Sequence, residues 1–160
     1  MCLVSRQRLV FGVNPTVLVV ALVVTAVDAF TKAWARRDLA NHAVHVVGDV
    51  WLRLRYNSGI SFSINRSGPL VTSLLTVAVA IVVVIVGVRA APGLPAAGFG
   101  LLLGGGVANV IDRLAATPHE VTDFVAVSSL PVFNLADAAI TAGFVVLLVA
   151  ALRGERLRAR

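Results

Sequence analysis

The chain alternates between long apolar runs and short polar segments. A helix needs about 20 apolar residues to cross the hydrocarbon core of a bilayer, which is roughly 30 Å thick. Four runs meet that requirement, at about 13–35, 69–88, 90–111 and 133–152. The pattern predicts an all-α membrane protein with four transmembrane helices. We expect residues 1–160 to form a single domain with an outer loop at 36–68 between the first two helices.

The outer loop has a pattern of its own. At 50–56, apolar residues alternate with tryptophan and two arginines, and this period of two is typical of a half-buried strand. A turn is predicted at 57–59, and a second alternating stretch follows at 60–64. The outer loop is therefore predicted to hold a small sheet on the membrane surface, with Trp51 and Tyr56 at the level of the lipid headgroups.

The composition agrees with a membrane location. The chain is 58% hydrophobic and 14% charged, whereas soluble domains carry about 25% charged residues. A single cysteine, Cys2, excludes an internal disulfide and a cysteine metal cluster. The net charge is +6, but the arginines lie at the chain ends and in the loops. A nucleic-acid partner is not expected, because such binders concentrate basic residues on one water-facing surface.

The basic residues also predict the orientation. Seven arginines lie in the tails and the tight loop near residue 89, and six lie in the longer loops on the other side. This density favours cytoplasmic termini. The first run is too long for a cleaved signal peptide and contains Asp28 and Lys32, so we expect it to be retained as a span. Arg36 and Arg37, just outside it, run against the charge rule, and composition offers no reason for them.

Ionisable residues in the spans are informative because each costs about 2.5–3.5 kcal/mol at a helix centre. Asp28 and Lys32 are four residues apart, which predicts an ion pair that anchors the first span near the outer surface. Asn109 and Arg113 have the same spacing and are predicted to face one site. Asp112 lies off that face. A role as the charge partner of an arginine or of Lys32 explains Asp112 at least as well as a catalytic role does.

Two further carboxylates, Asp123 and Asp137, bracket a segment of 13 residues near the outer surface. Two close carboxylates share one proton, so that one can deprotonate a water while the other polarises a carbonyl. His42 and His45 do not form a metal-binding motif, so neither a metal nor a cofactor is expected. The pattern therefore indicates aspartyl acid–base chemistry. Asn134 can also be explained by a purely structural role, as the N-terminal cap of the last helix.

Five motifs follow one another in a fixed order along the chain. They are Asp28-Ala29-Phe30-Thr31-Lys32, Asn57-Ser58-Gly59-Ile60-Ser61-Phe62, Gly105-Gly106-Val107-Ala108-Asn109-Val110-Ile111-Asp112-Arg113, Val121-Thr122-Asp123-Phe124 and Phe133-Asn134-Leu135-Ala136-Asp137. Together with the four spans, this order resembles the lipoprotein signal peptidases, also called signal peptidase II. The resemblance runs from Asp28 to the end of the fourth span.

The resemblance implies an aspartic endopeptidase of the bacterial cytoplasmic membrane, active near its outer face. It would act on lipidated prolipoproteins and cut on the N-terminal side of a cysteine that carries diacylglycerol. We expect the protein to contact membrane lipids and to be a monomer. Asp123 and Asp137 would be the catalytic pair. The residues implied to bind or orient the substrate are Asn57, Gly59, Asn109, Arg113 and Asn134. The residues implied to support the architecture are Asp28, Lys32 and Asp112.

Two other functions compete with this interpretation. A small proton or ion carrier also uses membrane carboxylates, but it needs them across the whole depth of the bilayer. Here the ionisable residues, Asn109 and Asn134 fall at the outer ends of their spans, and the second span at 69–88 has no ionisable residue or asparagine. A non-enzymatic membrane scaffold leaves Asp123 and Asp137 unexplained. The sequence therefore favours the peptidase.

Overall fold

The computed structural model describes residues 14–57, 81, 83, 85, 87, 89–115 and 120–158. Within them the chain forms three helices and three strands, in the order α1 (Pro15–Asp38), β1 (Val44–Val47), β2 (Val50–Asn57), α2 (Leu94–Ala115), β3 (Val121–Val127) and α3 (Leu135–Leu152). The predicted second span, 69–88, lies largely outside the described residues, although residues 81, 83, 85 and 87 are helical.

In the described part of the chain, three helices are long and apolar enough to cross a membrane, namely α1, α2 and α3. Most of α2 is buried, whereas α1 and α3 leave most of their surface uncovered, so α2 is the central helix. Glycines on α2 let its neighbours approach closely. A Cβ on Gly100 would lie 2.7 Å from the Cβ of Val20 on α1, and one on Gly105 would lie 2.5 Å from the carbonyl oxygen of Ala136 on α3.

The helix ends differ by a few residues from the predicted spans. Asn14 caps α1, Pro15 occupies its first turn, and the helix continues three residues past the predicted end at 35. α2 begins at Leu94 rather than at 90, after a turn in which Gly93 has a φ of +88°. It then continues to Ala115. The residues predicted to share a face near its end therefore lie on one unbroken helix.

The predicted sheet is confirmed for one strand, and its two partners are an unpredicted strand of the outer loop, β1, and a strand beyond that loop, β3. β2 covers the predicted strand at 50–56, and the predicted strand at 60–64 lies outside the described residues. The described sheet is antiparallel with the order β1-β2-β3. β3 follows α2 and was not predicted as a strand, so the sheet extends beyond the outer loop. In β3 two adjacent polar residues, Thr122 and Asp123, are followed by four apolar residues, so the strand lacks the period of two that would have predicted it.

A β-bulge shifts the register between β2 and β3. Leu52 pairs with Val125, but Arg55 pairs with Asp123, so β2 has one extra residue between these two pairs. An unbroken ladder would instead place Leu54 opposite Asp123. Because paired residues in an antiparallel sheet lie on the same face, the bulge brings Arg55 to the face of Asp123. Asn57, two residues further along β2, shares that face.

A small apolar cluster fastens the sheet to the end of α1. Its buried members are Ala35, Leu39 and Phe124, and Phe124 follows Asp123 directly in β3. Trp34 packs edge-on against Phe124, with 6.3 Å between the ring centroids. Burying such aromatic surface is the main stabilising contribution available to this strand. It holds β3 against the end of the helix bundle where the polar side chains lie.

Candidate active site

Asp123 lies on β3 and is 1% exposed. Its Oδ2 accepts a hydrogen bond of 2.9 Å from the side-chain amide of Asn57 on β2. Its Oδ1 accepts one of 2.7 Å from the side-chain amide of Asn134, which precedes α3. The bulge in β2 and the chain reversal after β3, where Val125 pairs with Phe133, bring the two asparagines to one carboxylate.

Asp137 lies in the first turn of α3 and forms a capping box with Asn134. The side chain of Asn134 accepts from the Asp137 backbone N–H, and Asp137 Oδ2 accepts from the Asn134 backbone N–H. The predicted cap is thus confirmed. The other oxygen, Oδ1, accepts a hydrogen bond of 2.8 Å from the side-chain amide of Asn109 on α2. The residue before α3 and the helix α2 therefore both orient this carboxylate.

Two asparagines connect the carboxylates to each other. Asn134 donates to Asp123 with one amide hydrogen and to Asn109 Oδ1 with the other, at 3.3 Å. Asn109 in turn donates to Asp137. The structure thus brings Asp123 and Asp137 into one hydrogen-bonded group, as predicted. Arg113 is on the same helix face as Asn109, where its charge interacts favourably with those of Asp137 and Asp123.

The predicted ion pair between Asp28 and Lys32 is confirmed, with 2.7 Å between Lys32 Nζ and Asp28 Oδ2. Lys32 is 1% exposed and also donates to Asn109 Oδ1 at 2.9 Å. Sequence reasoning missed a second role of Asp28. Its Oδ1 accepts a hydrogen bond of 2.8 Å from the backbone N–H of Ala136, so α1 helps to cap α3. A separation of 108 residues left no local signal for this contact.

Asp112 is a charge partner, which was one of its two predicted roles. Its Oδ1 lies 3.0 Å from Arg36 Nη1, and its Oδ2 lies 3.6 Å from Lys32 Nζ. Oδ2 also accepts a hydrogen bond of 2.6 Å from the backbone N–H of Thr122, the residue before Asp123. Arg36 completes this link by donating to Thr122 Oγ1 at 2.8 Å. This contact explains why an arginine lies outside the first span against the charge rule.

The environment of Asp123 favours its protonated form. Together its surroundings raise the pKa of its carboxyl from 3.8 to about 6, and burial is the largest cause. The negative charge of Asp137 acts in the same direction. Hydrogen bonds from Asn57 and Asn134, and the positive charge of Lys32, lower it in part. A carboxyl with this pKa exchanges a proton near neutral pH, which is a requirement for acid–base catalysis.

A cavity of about 240 Å³ opens beside Asp123. Its lining consists of Arg55, Asn57, Asp123, Ser129, Leu130, Pro131 and Val132. Asp137 and Asn109 are not among its lining residues and are linked to Asp123 through Asn134. Gly59, also a predicted site residue, lies outside the described residues. In the described ranges, no group of three or more His, Cys, Asp or Glu side chains is placed to hold a metal ion.

Comparison with known proteins places this site in a family. The sequence profile described as signal peptidase (SPase) II matches residues 20–153, which is most of the chain. The chain belongs to the signal peptidase II family. It is 39% identical over 142 residues to the lipoprotein signal peptidase of Rhodococcus jostii, with 85% of this chain and 72% of that protein covered. It is 34% identical over 156 residues to the one of Mycobacterium avium, covering 93% and 81%.

Solved structures support the same fold for this signal peptidase II family member. A bacterial membrane enzyme determined by the in meso method at 2.3 Å resolution superposes with a TM-score of 0.74 at 24% identity, covering 87% of this chain and 88% of that one. A second one, at 1.9 Å resolution, gives a TM-score of 0.75 over 86% and 93%. Family membership and the apolar helices together identify a membrane protease.

Proposed function

We propose that this protein removes the signal peptide from diacylglyceryl-modified prolipoproteins, cutting on the N-terminal side of the lipidated cysteine. Asp123 and Asp137 are the catalytic pair in this proposal. The observation that carries it is the hydrogen-bonded group in which Asn134 and Asn109 join the two carboxylates. Membership of the signal peptidase II family supports the reaction class.

The two carboxylates have different surroundings, which suggests different roles. Asp123 is buried and its pKa of about 6 favours holding a proton. Asp137 lies at the positive end of the α3 dipole and near Arg113, and both stabilise a negative charge. In this proposal Asp137 takes a proton from the attacking water. Asp123 donates its proton to the carbonyl oxygen of the residue before the cysteine. As the C–N bond breaks, Asp137 passes the proton that it took from water to the amide nitrogen of the cysteine, and Asp123 recovers its proton from a hydroxyl of the tetrahedral intermediate.

The surrounding side chains orient this pair and the substrate. Asn57 and Asn134 hold the two oxygens of Asp123, and Asn109 holds Asp137. Arg113 supplies positive charge beside the pair. Gly59 belongs to the substrate-covering part of the outer loop by resemblance only. The residues proposed to support this arrangement without touching substrate are Asp28, Lys32 and Asp112.

We also propose a location and an orientation. The polar group lies at the end of α1 and α2 and at the start of α3, together with the sheet, so the site is at one end of the helix bundle. The aromatic rings of Trp51 and Tyr56 are exposed on that sheet, as suits headgroup depth. The site then faces the outer side of the bacterial cytoplasmic membrane, with both termini cytoplasmic, in a monomeric single-domain protein. A carrier function is not supported, because the ionisable residues of the three described helices gather toward one end of the bundle.

The proposal is tested with purified protein in detergent and a prolipoprotein peptide, lipidated or not, with the cut position determined by mass spectrometry. We expect cleavage before the lipidated cysteine, much weaker cleavage of the unlipidated peptide and no effect of a chelator. D123N and D137N abolish cleavage, while D38N, an exposed acid paired with Arg37, does not. Full activity of either catalytic variant, or a cut elsewhere, contradicts the proposal.

A further inference from the structure

Arg55 is a site residue that sequence reasoning did not single out. The β2 bulge places it opposite Asp123 in the sheet, and its side chain lines the cavity beside that carboxylate. Residues paired across an antiparallel ladder have Cα atoms about 4.5–5.5 Å apart. A substrate with its scissile bond at Asp123 therefore brings neighbouring residues within reach of the Arg55 guanidinium.

Arg55 is exposed, and among the residues that the structure describes its guanidinium makes no hydrogen bond or ion pair. Arg36 and Arg37, by contrast, are both paired with aspartates. Arg55 is also the only cation among the seven residues that line the cavity, and the opposite wall is made by residues 129–132, which carry no charge. The cavity thus presents one positive charge that a ligand can use.

The part of the substrate that meets this charge follows from the proposed function, on which this inference rests. The signal peptide and the acyl chains belong in the membrane, while the segment after the cysteine leaves it beside the sheet. An extended chain advances about 3.3 Å per residue, so the first two residues after the cysteine lie near Arg55. We propose that Arg55 is a specificity-determining residue that favours acidic over basic side chains at these two positions.

The test uses three lipidated peptides that differ only in the two residues after the cysteine, namely Asp-Asp, Gln-Gln or Lys-Lys. The wild-type protein is expected to cleave the Asp-Asp peptide about five times more efficiently than the Lys-Lys peptide, as judged by kcat/KM at low salt, and high salt should reduce this ratio. In R55E the preference reverses. R53E is the matched control, because Arg53 is exposed on the same strand but does not line the cavity, and it should keep the wild-type ratio.

Two further variants make the outcome decisive. R55K keeps the charge and should keep the sign of the preference, which supports the proposal even if R55E does not fold. If R55Q lowers kcat/KM equally for all three peptides, Arg55 binds an oxygen common to every substrate and the proposal is overturned. An unchanged ratio in R55E overturns it as well. Failure of the proposed function is a separate result, since the wild-type protein would then cleave none of the lipidated peptides.

Discussion

Two groups of carboxylates meet at the same end of the helix bundle, and their partners differ. In the ion-pair cluster, Asp28 and Asp112 contact the cations Lys32 and Arg36. In the proposed catalytic pair, Asp123 and Asp137 accept hydrogen bonds from amide N–H groups. Asp28 and Asp112 also accept from backbone N–H groups, so direct contact with a cation is what distinguishes the two groups among the described residues.

This difference in partners suits a structural role for the ion-pair cluster and the proposed catalytic role for Asp123 and Asp137. A carboxylate in contact with a cation is stabilised in its ionised form, and breaking such a buried pair leaves an uncompensated charge. A buried carboxylate held by neutral amides has less compensation, so its protonated form is accessible, as the raised pKa of Asp123 shows. Asn109 connects the two groups, because it accepts from Lys32 and donates to Asp137. The ion-pair cluster thereby sets the position of one member of the catalytic pair.

The largest expected effect is on the catalytic pair itself. Because Asp123 and Asp137 are proposed to act as one unit, D123N and D137N should each lower kcat on the order of 10³-fold or more. The double variant should lose little beyond either single one. Single-turnover cleavage of the lipidated peptide measures all three variants. Losses that add up in the double variant would show that the two carboxylates act independently.

The ion-pair cluster should affect folding more than chemistry. K32M leaves Asp28 buried without its cation, and we expect this to lower the free energy of unfolding by about 3–5 kcal/mol. R37M breaks an exposed pair with Asp38 and should leave the stability almost unchanged, because solvent screens this pair. Unfolding followed in detergent compares the two variants. Equal losses of stability in K32M and R37M would show that the ion-pair cluster contributes no more than an exposed surface pair.

The pH dependence of stability tests the raised pKa of Asp123. The folded protein holds this proton up to a pH of about 6, whereas the unfolded chain releases it near 3.8. Stability due to Asp123 is therefore lost as the pH rises between these values. A shift of one pKa unit corresponds to about 1.36 kcal/mol. Between pH 3 and 7 the free energy of unfolding of the wild-type protein should therefore fall by about 3 kcal/mol relative to that of D123N. Parallel stability curves for the two proteins would contradict the burial argument.

The smallest effect is expected for an amide partner of Asp123. The hydrogen bond from Asn57 lowers the pKa of Asp123, so N57L should raise it. If Asp123 donates the catalytic proton, kcat/KM falls as the pH rises past this pKa, and in N57L that decline moves to higher pH. We expect kcat/KM at its optimum to be about fivefold lower, equivalent to about 1 kcal/mol. An unmoved pH profile would exclude Asp123 as the proton donor.

Local spacing was enough for several features of the site. The separation of four residues between Asp28 and Lys32 predicted their ion pair, because such residues share one face of a helix. The position of Asn134 before an apolar run predicted a helix cap. The pairing of Asp123 with Asp137 also followed from the sequence, first from their positions on either side of a short segment and then from the order of the five motifs. The spans were correct to within about four residues in the described helices.

The contacts that complete the site could not be predicted. Asp28 caps α3 from 108 residues away, and Arg36 meets Asp112 from a distance of 76 residues. The β2 bulge, which turns Arg55 and Asn57 toward Asp123, depends on how two distant strands align. The sequence by itself determined the membrane helices, the local pairs and the family, because these follow from hydropathy and from spacing within one element. The tertiary structure alone decided the partners of each carboxylate, because burial and register arise only when separate elements pack together.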